Sequence, residues 1–319
     1  MRVLVTGSSG CIGAWTVKQL LDRHIDVLCF DQEADLSRLG LISHHSNSPR
    51  LQVETGRIED TGRIKTLVTD GGITHIIHLA AVLMPFCQAN PVQGAMINVI
   101  GTLNVFEAAR DAGRPVRVVY ASSSAVWGPE DAYGERALSE SDQLLPSTHY
   151  GVFKQSNEGN ARVFFQSNGI SSIGLRPWTV YGVGRDRGLT ADPTLAMKSI
   201  ALGLPFQIRV SGHMDLQYTE DVAETFVRCA LSDATGSHVF NLAGSIIEMN
   251  ALVALLDKLR PGSAGLITVG GNPVPVSYRM DASQLHAMIP GIPQTPLEGG
   301  VRQTLDLFDA LKAAGRLAA

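Results

Sequence analysis

The sequence predicts a doubly wound α/β fold, a parallel sheet covered by helices on both faces, followed by a smaller C-terminal lobe. Three observations carry that expectation. Apolar, β-rich runs alternate with helical patterns through the first two-thirds of the 319 residues. These runs are apolar on both faces, as strands buried in a parallel sheet are. A glycine-rich turn, Thr6-Gly7-Ser8-Ser9-Gly10-Cys11-Ile12-Gly13, lies between the first run and the first helical pattern.

Strands are expected at residues 2–5, 26–30, 51–54, 75–79, 117–121 and 172–175, with helices between them at 12–23, 61–70, 92–112 and 151–168. Right-handed crossovers would join them. The pattern changes after Arg176-Pro177, where Gly, Pro and Arg crowd a loop over 182–193. A helix at 194–202, an extended piece at 206–210 and helices at 221–232 and 297–318 follow. The expected division is therefore 1–176 for cofactor binding and the chemistry. Residues 177–319 would be mainly a substrate lobe, with some segments returning to the core.

Composition is that of an ordinary soluble protein, with 45% hydrophobic and 18% charged residues. A net charge of -4 and a pI near 6.1 argue against a nucleic-acid partner, which usually demands a basic face. No apolar run approaches the roughly 20 residues needed to span a bilayer. The first strand starts at Arg2, so no signal peptide is expected. Four scattered cysteines fit a reduced, cytoplasmic setting. No metal-like spacing appears, and the pair His44-His45 reads as loop.

The glycine turn has the strand–turn–helix setting of a dinucleotide-binding loop. Gly7 permits the turn, Gly10 lets backbone N–H groups approach a pyrophosphate, and Gly13 lets the helix pack on the sheet. The helix N-terminus adds unpaired donors and partial positive charge. Asp31 ends the second strand, 18 residues after Gly13, where a carboxylate accepts bonds from the adenosine ribose. A carboxylate there repels a 2′-phosphate, so the expected cofactor is NAD. Ala80 and Ala81, closing the fourth strand, would let it lie close above the sheet. Cys11, at a helix N-terminus, is expected to favour the thiolate.

Tyr150 and Lys154 are four apart at the start of a predicted helix and share one face. A tyrosine of pKa about 10 is a poor base at neutral pH. A nearby ammonium favours the phenolate, and can also hold a ribose. Upstream, Ser122-Ser123-Ser124 stands at the C-terminal end of the fifth strand, where ligands of open α/β sheets bind. A serine hydroxyl there can polarise a substrate oxygen while Tyr150 moves the proton.

From residue 1 to about 231 the chain resembles the extended short-chain dehydrogenase/reductase superfamily, of the NAD-dependent epimerase/dehydratase type. The motifs are Thr6–Gly13 in the pattern Thr-Gly-x-x-Gly-x-x-Gly, the strand end at 78–81, Asn98-Val-x-Gly-Thr, Ser122-Ser-x-x-Val-x-Gly, Tyr150-x-x-x-Lys154 and Arg176-Pro177. The resemblance implies a Rossmann-like fold with catalytic Ser123, Tyr150 and Lys154, and Ser124 as the alternative serine. It implies cofactor contacts at Gly7, Ser9, Gly10, Cys11, Ile12, Asp31, Arg57, Ile58, Leu79, Ala80, Ala81, Asn98, Tyr150, Lys154 and Pro177. It also implies a homodimer through the helices at 92–112 and 151–168, where Phe153, Phe164 and Phe165 supply apolar surface for either the core or the interface. Asn98 is expected to hold a helix backbone or a water near Lys154.

Departures from the family pattern bear on the substrate. Trp127 replaces the usual tyrosine and is expected to line the pocket, with a place in the core as the alternative. Gly56-Arg57-Ile58 replaces Gly-Asp-Ile, so Arg57 would either stack on the adenine or stand solvated at the surface. Nucleotide-sugar enzymes of the family often carry an arginine seven residues before the Asp of Asp221-Val222-Ala223, and here that position is Met214. A thioether replaces neither the charge nor the paired donors of a guanidinium. Tyr278-Arg279-Met280-Asp281 is the nearest candidate for the family's Arg-x-Gly-Asp motif. Arg185 and Arg187, in Gly184-Arg185-Asp186-Arg187-Gly188, would meet a carboxylate or phosphate, and His213 and Gln217 would face the pocket. The expected function is therefore NAD-dependent hydride transfer at a secondary alcohol or ketone of a small sugar-like or hydroxy-acid substrate. The alternative is an epimerase holding NAD tightly. A 4,6-dehydratase is disfavoured because Ser124-Ala125 stands where those enzymes place an acid pair, and a non-catalytic NAD-binding protein because the Ser–Tyr–Lys set is intact.

Overall fold

A computed structural model describes residues 1–318. The strands are β1 (Arg2–Thr6), β2 (Asp26–Asp31), β3 (Leu51–Thr55), β4 (His75–His78), β5 (Arg117–Ala121), β6 (Ser172–Arg176), β7 (Thr179–Tyr181), β8 (Phe206–Ser211), β9 (His213–Tyr218), β10 (Ser237–Asn241), β11 (Ser245–Glu248) and β12 (Ile267–Pro273). The α-helices are α1 (Cys11–Asp22), α2 (Ser37–Ile42), α3 (Thr61–Thr69), α4 (Met84–Ala89), α5 (Pro91–Ala95), α6 (Gly101–Asp111), α7 (His149–Asn168), α8 (Asp192–Leu202), α9 (Thr219–Leu231), α10 (Met249–Leu259), α11 (Ser283–Met288) and α12 (Leu297–Ala313). No described helix is long and apolar enough to cross a membrane.

Seven strands form one sheet in the order β10-β6-β5-β4-β1-β2-β3, every pairing parallel. The order reverses direction between β1 and β4, so a crevice opens at their C-terminal ends, the place where such sheets bind ligands. One face of the sheet packs on α1 and α9 through Val5, Leu20, Ile77, Phe226 and their neighbours. The other packs on α3 and α6 through Leu4, Ile64, Ile76 and Phe106. A third apolar cluster holds the lobe of α8, α10, α12 and two small sheets, β11-β9-β7 and β12-β8. Two late segments return to the large domain: β10 pairs with β6, and α9 packs on α1.

The helix expected over 92–112 is broken. α5 passes through a π-helical turn, Met96–Ile100, before α6 begins. The Asn98 carbonyl explains the widening, because it accepts from Asn157 Nδ2 at 2.8 Å as well as from Thr102 Oγ1 at 2.8 Å. Single π turns of this kind cluster at functional sites. The last helix ends at Ala313, earlier than expected, and Gly315 follows with φ +66°.

Candidate active site

The glycine turn runs from β1 into α1. Gly7 has φ +70°, and a Cβ on it would lie 2.6 Å from the Ala80 backbone nitrogen, so only glycine fits between the two strand ends. α1 has neither a side-chain N-cap nor an acidic residue in its first turn, which leaves its donors to an anionic ligand. Asp31 accepts from the Ser9 N–H at 2.9 Å and the Gln32 N–H at 2.8 Å, which sets its carboxylate beside the turn. These features fit a dinucleotide: a cradle without side chains, free donors and an acid at the second strand end. Leu79, Ala80 and Ala81 are partly exposed at the end of β4, on the opposite lip.

Beneath that lip, buried His78 lies 2.7 Å from Thr6 Oγ1 through Nδ1 and 3.0 Å from Thr102 Oγ1 through Nε2. The Thr102 hydroxyl spends its proton on the Asn98 carbonyl, so it accepts from His78, whose proton therefore sits on Nε2. Burial, then the Lys154 charge, pushes the imidazole pKa down to about 3, so the ring is neutral.

α7 starts at an N-cap, Thr148, whose Oγ1 accepts from the Gly151 N–H at 3.1 Å. A Cβ on Gly151 would meet the Ala125 carbonyl oxygen at 2.1 Å. This glycine lets the helix start abut the turn after β5, and so sets Tyr150 opposite Ser123. Ser123 caps that turn, accepting from Ala125 N–H at 3.1 Å. The Tyr150 pKa is pushed up by burial, and a hydrogen bond with the Ser123 side chain offsets part of the rise. Lys154 is buried and donates to the Ala121 carbonyl at 2.6 Å. Desolvation lowers its pKa to about 8. The expected lowering of the phenol by the ammonium is corrected here: the lysine is held by a strand-end carbonyl, and burial governs the tyrosine.

The three serines separate clearly. Ser122 donates to Glu158 Oε1 at 2.5 Å, and Ser124 donates to the Pro177 carbonyl at 3.0 Å. Only Ser123 faces Tyr150, which makes it the candidate partner in preference to Ser124. Pro177 is buried and serves this turn through its carbonyl. Asn98 bridges the loop after β4, accepting from Val82 N–H and donating to Val82 O, both at 2.9 Å.

Several expectations are corrected. Cys11 is not a favoured thiolate: burial raises its pKa, and its sulfur sits 3.3 Å from Thr219 Oγ1. Trp127 does not line a pocket; it is fully buried, with the Arg176 guanidinium 4.7 Å from its ring centre. Arg57 is exposed at the surface and pairs with Glu59. The Ile58 side chain is core, and a Cβ on Gly101 would lie 2.7 Å from it. Gln217 is buried, its Oε1 accepting from the Trp178 N–H at 3.1 Å and its Nε2 donating to Asp215 at 2.8 Å. His213 is exposed and stacks on Tyr278 at 5.4 Å. Arg187 is exposed. Arg279 pairs with Glu130 at 2.8 Å on the surface. Met214 is fully buried in the lobe core.

Two groups escaped the sequence reading. Glu158 lies four residues beyond Lys154 on the same helical face, and forms a buried fork with Arg176, at 2.8 Å to both oxygens. The i+4 spacing was the available signal. Arg38 had no local signal: its four contacts are to Ser9, Gly184 and Asp186, far away in sequence.

The model of the NAD dependent epimerase/dehydratase family matches residues 3–243. The chain belongs to this family. It is thus an enzyme with a Rossmann-like fold that uses NAD, in a family whose members act on sugars and nucleotide sugars. It is similar to dTDP-4-dehydro-6-deoxyglucose reductase of Escherichia coli, with 26% identity over 80% of each chain. It is also similar to UDP-glucose 4-epimerase of Mycolicibacterium smegmatis, with 27% identity over 97% of this chain and 98% of that one. Among solved structures, the Thermus thermophilus UDP-glucose 4-epimerase in complex with NAD superposes with TM-score 0.80 and 25% identity, over 97% and 99% of the two chains.

Proposed function

We propose that this family member is an NAD-dependent oxidoreductase acting on a secondary alcohol, or the matching ketone, of a small sugar-like or hydroxy-acid substrate. The observation that carries the reading is the pairing of Ser123 with Tyr150 at the end of β5, one helical turn from Lys154, while Met214 is turned into the lobe core. The Ser123 hydroxyl holds the substrate oxygen. Tyr150 takes or gives the proton on that oxygen. Lys154, held at the end of β5 by the Ala121 carbonyl, holds the nicotinamide ribose. Bound NAD supplies the hydride acceptor. With Met214 buried where a guanidinium would stand, one group that would favour a nucleotide diphosphate is missing.

The likeness to UDP-glucose 4-epimerase over nearly the whole chain favours a second reading, in which the same residues oxidise and re-reduce a substrate on retained NAD. Incubation with NAD and a panel of sugars, aldonates, uronates and nucleotide sugars separates the two. The first reading expects NADH to accumulate with a free sugar or acid. Conversion of a nucleotide sugar without net NADH would establish the second.

Asp31 is proposed to select NAD over NADP. Asp31→Ala should narrow the ratio of kcat/KM for the two cofactors by about tenfold or more, by removing like-charge repulsion. An unchanged ratio would show that another group reads the ribose.

A homodimer is proposed through α5 and α7. Val92 is 80% exposed, Val163 53% and Val152 47%, an apolar set facing solvent on neighbouring helices. Phe164 is not part of it, since it stacks on Phe106 at 5.1 Å inside the protein. Light scattering should return twice the 34.1 kDa chain mass, and Val152→Glu with Val163→Glu should halve it. A monomeric parent chain would defeat the proposal.

A further inference from the structure

We propose that residues 182–190 form a strap that closes over the bound dinucleotide, latched by Arg38 and carrying Arg185 as a donor to the cofactor's diphosphate. On the β1 side the strap is tied down twice. Trp15 of α1 donates through Nε1 to the Val183 carbonyl at 2.9 Å. Arg38 of α2 reaches across with its whole guanidinium: Nε donates to Gly184 O at 3.1 Å, one terminal nitrogen to Ser9 O of the glycine turn at 2.7 Å, and the other to both Asp186 oxygens at 2.8 Å. On the β4 side, a Cβ on Gly188 would stand 3.4 Å from Leu83, just beyond the strand end at Ala80 and Ala81. A segment bonded to the β1 lip and lying against Leu83 beyond the β4 lip crosses the crevice between β1 and β4, where the cofactor must lie.

The strap also has the means to move. Gly182, Gly184 and Gly188 all have positive φ, at +135°, +96° and +87°, conformations in which glycine alone is unstrained. Val183 stays anchored in the lobe core, whereas the latch beyond it ends on a half-exposed Asp186, so the part from Gly184 onward can open without uncovering that core.

Arg185 sits in the middle of the strap. One terminal nitrogen donates to Thr190 Oγ1 at 2.9 Å, but its Nε is buried with no partner among the described residues. A buried charged donor left unpaired costs stability, and persists where a ligand completes it. The guanidinium is close enough to Cys11 on the glycine turn and to Tyr150 to favour the ionised form of each. The diphosphate lies between the glycine turn and the nicotinamide, so an anion on that line is the partner this donor lacks.

The inference rests on the cofactor and not on the substrate reading, so NADH release can be followed whichever reaction the enzyme runs. Stopped-flow displacement of NADH is the direct test. Asp186→Asn leaves the Ser9 contact intact and should accelerate NADH release about tenfold, the size expected for one charge-assisted pair. Arg38→Ala should do at least as much. Arg185→Gln should weaken ADP-ribose about tenfold and leave adenosine, which has no diphosphate, unaffected. Unchanged release in Asp186→Asn, with an unchanged melting temperature, overturns the latch. An unchanged ADP-ribose Kd with a raised substrate KM in Arg185→Gln assigns the arginine to a substrate anion and overturns its role here. If neither Kd nor KM moves, the donor serves no ligand.

Discussion

Replacing Tyr150 by phenylalanine is expected to lower turnover by about 10²–10⁴-fold, the range for loss of a positioned proton-transfer group. NADH affinity should stay within about twofold of the parent, because the phenyl ring keeps the shape of the helix start and only a hydroxyl is lost. Both halves matter. A fall in turnover together with lost cofactor binding would point to a collapsed site and not to chemistry. Retained turnover would remove Tyr150 from the mechanism. The pH dependence has a definite sign. Burial raises the Tyr150 pKa and lowers that of Lys154 to about 8, so near neutral pH the tyrosine is a phenol and the lysine largely an ammonium. Alcohol oxidation needs a base and should speed up as pH rises from neutrality. Ketone reduction needs the phenol's proton and should not.

Glu158→Gln is expected to destabilise the protein by about 3–5 kcal/mol, because it leaves the Arg176 guanidinium buried without its counter-charge. Arg176 is 3% exposed and Glu158 8%, so water cannot take the carboxylate's place. A fall in melting temperature on the order of 10 °C is the corresponding reading. Turnover should also fall, since Glu158 accepts from Ser122 and thereby fixes the turn that presents Ser123. Glu158→Leu combined with Arg176→Met should recover part of the stability, because an apolar pair of similar volume avoids the desolvation cost. That double variant should not recover turnover, since Ser122 still lacks its acceptor. If Glu158→Gln melts like the parent, the fork contributes nothing and its place under the serine turn is incidental.

Much of the framework was legible from local pattern. The six strands before Pro177 lie near their expected places, because a buried parallel strand must be apolar on both faces. The glycine turn was legible because its backbone tolerates no other residue at Gly7. The lobe was less so: β9, β11, β12 and α10 had no expected counterpart, since short strands in small sheets have burial patterns set by their neighbours. β10 joins the large sheet from beyond the expected division at 176, and only the parallel edge of β6 gives it a place.

The candidate site divides in the same way. The family, the cofactor and Ser123, Tyr150 and Lys154 as a candidate set could be read from the residues alone, because each depends on residue types at fixed local spacing. The tertiary structure decided what those residues face. It turned Ser124 to Pro177 and left Ser123 to Tyr150, sent Trp127 and Met214 into cores, and tied Arg38 across to Asp186. None of these follows from spacing. Which of three adjacent hydroxyls points into a crevice, or which distant carboxylate meets an arginine, depends on how separate elements pack. Packing is settled by the whole apolar interior at once.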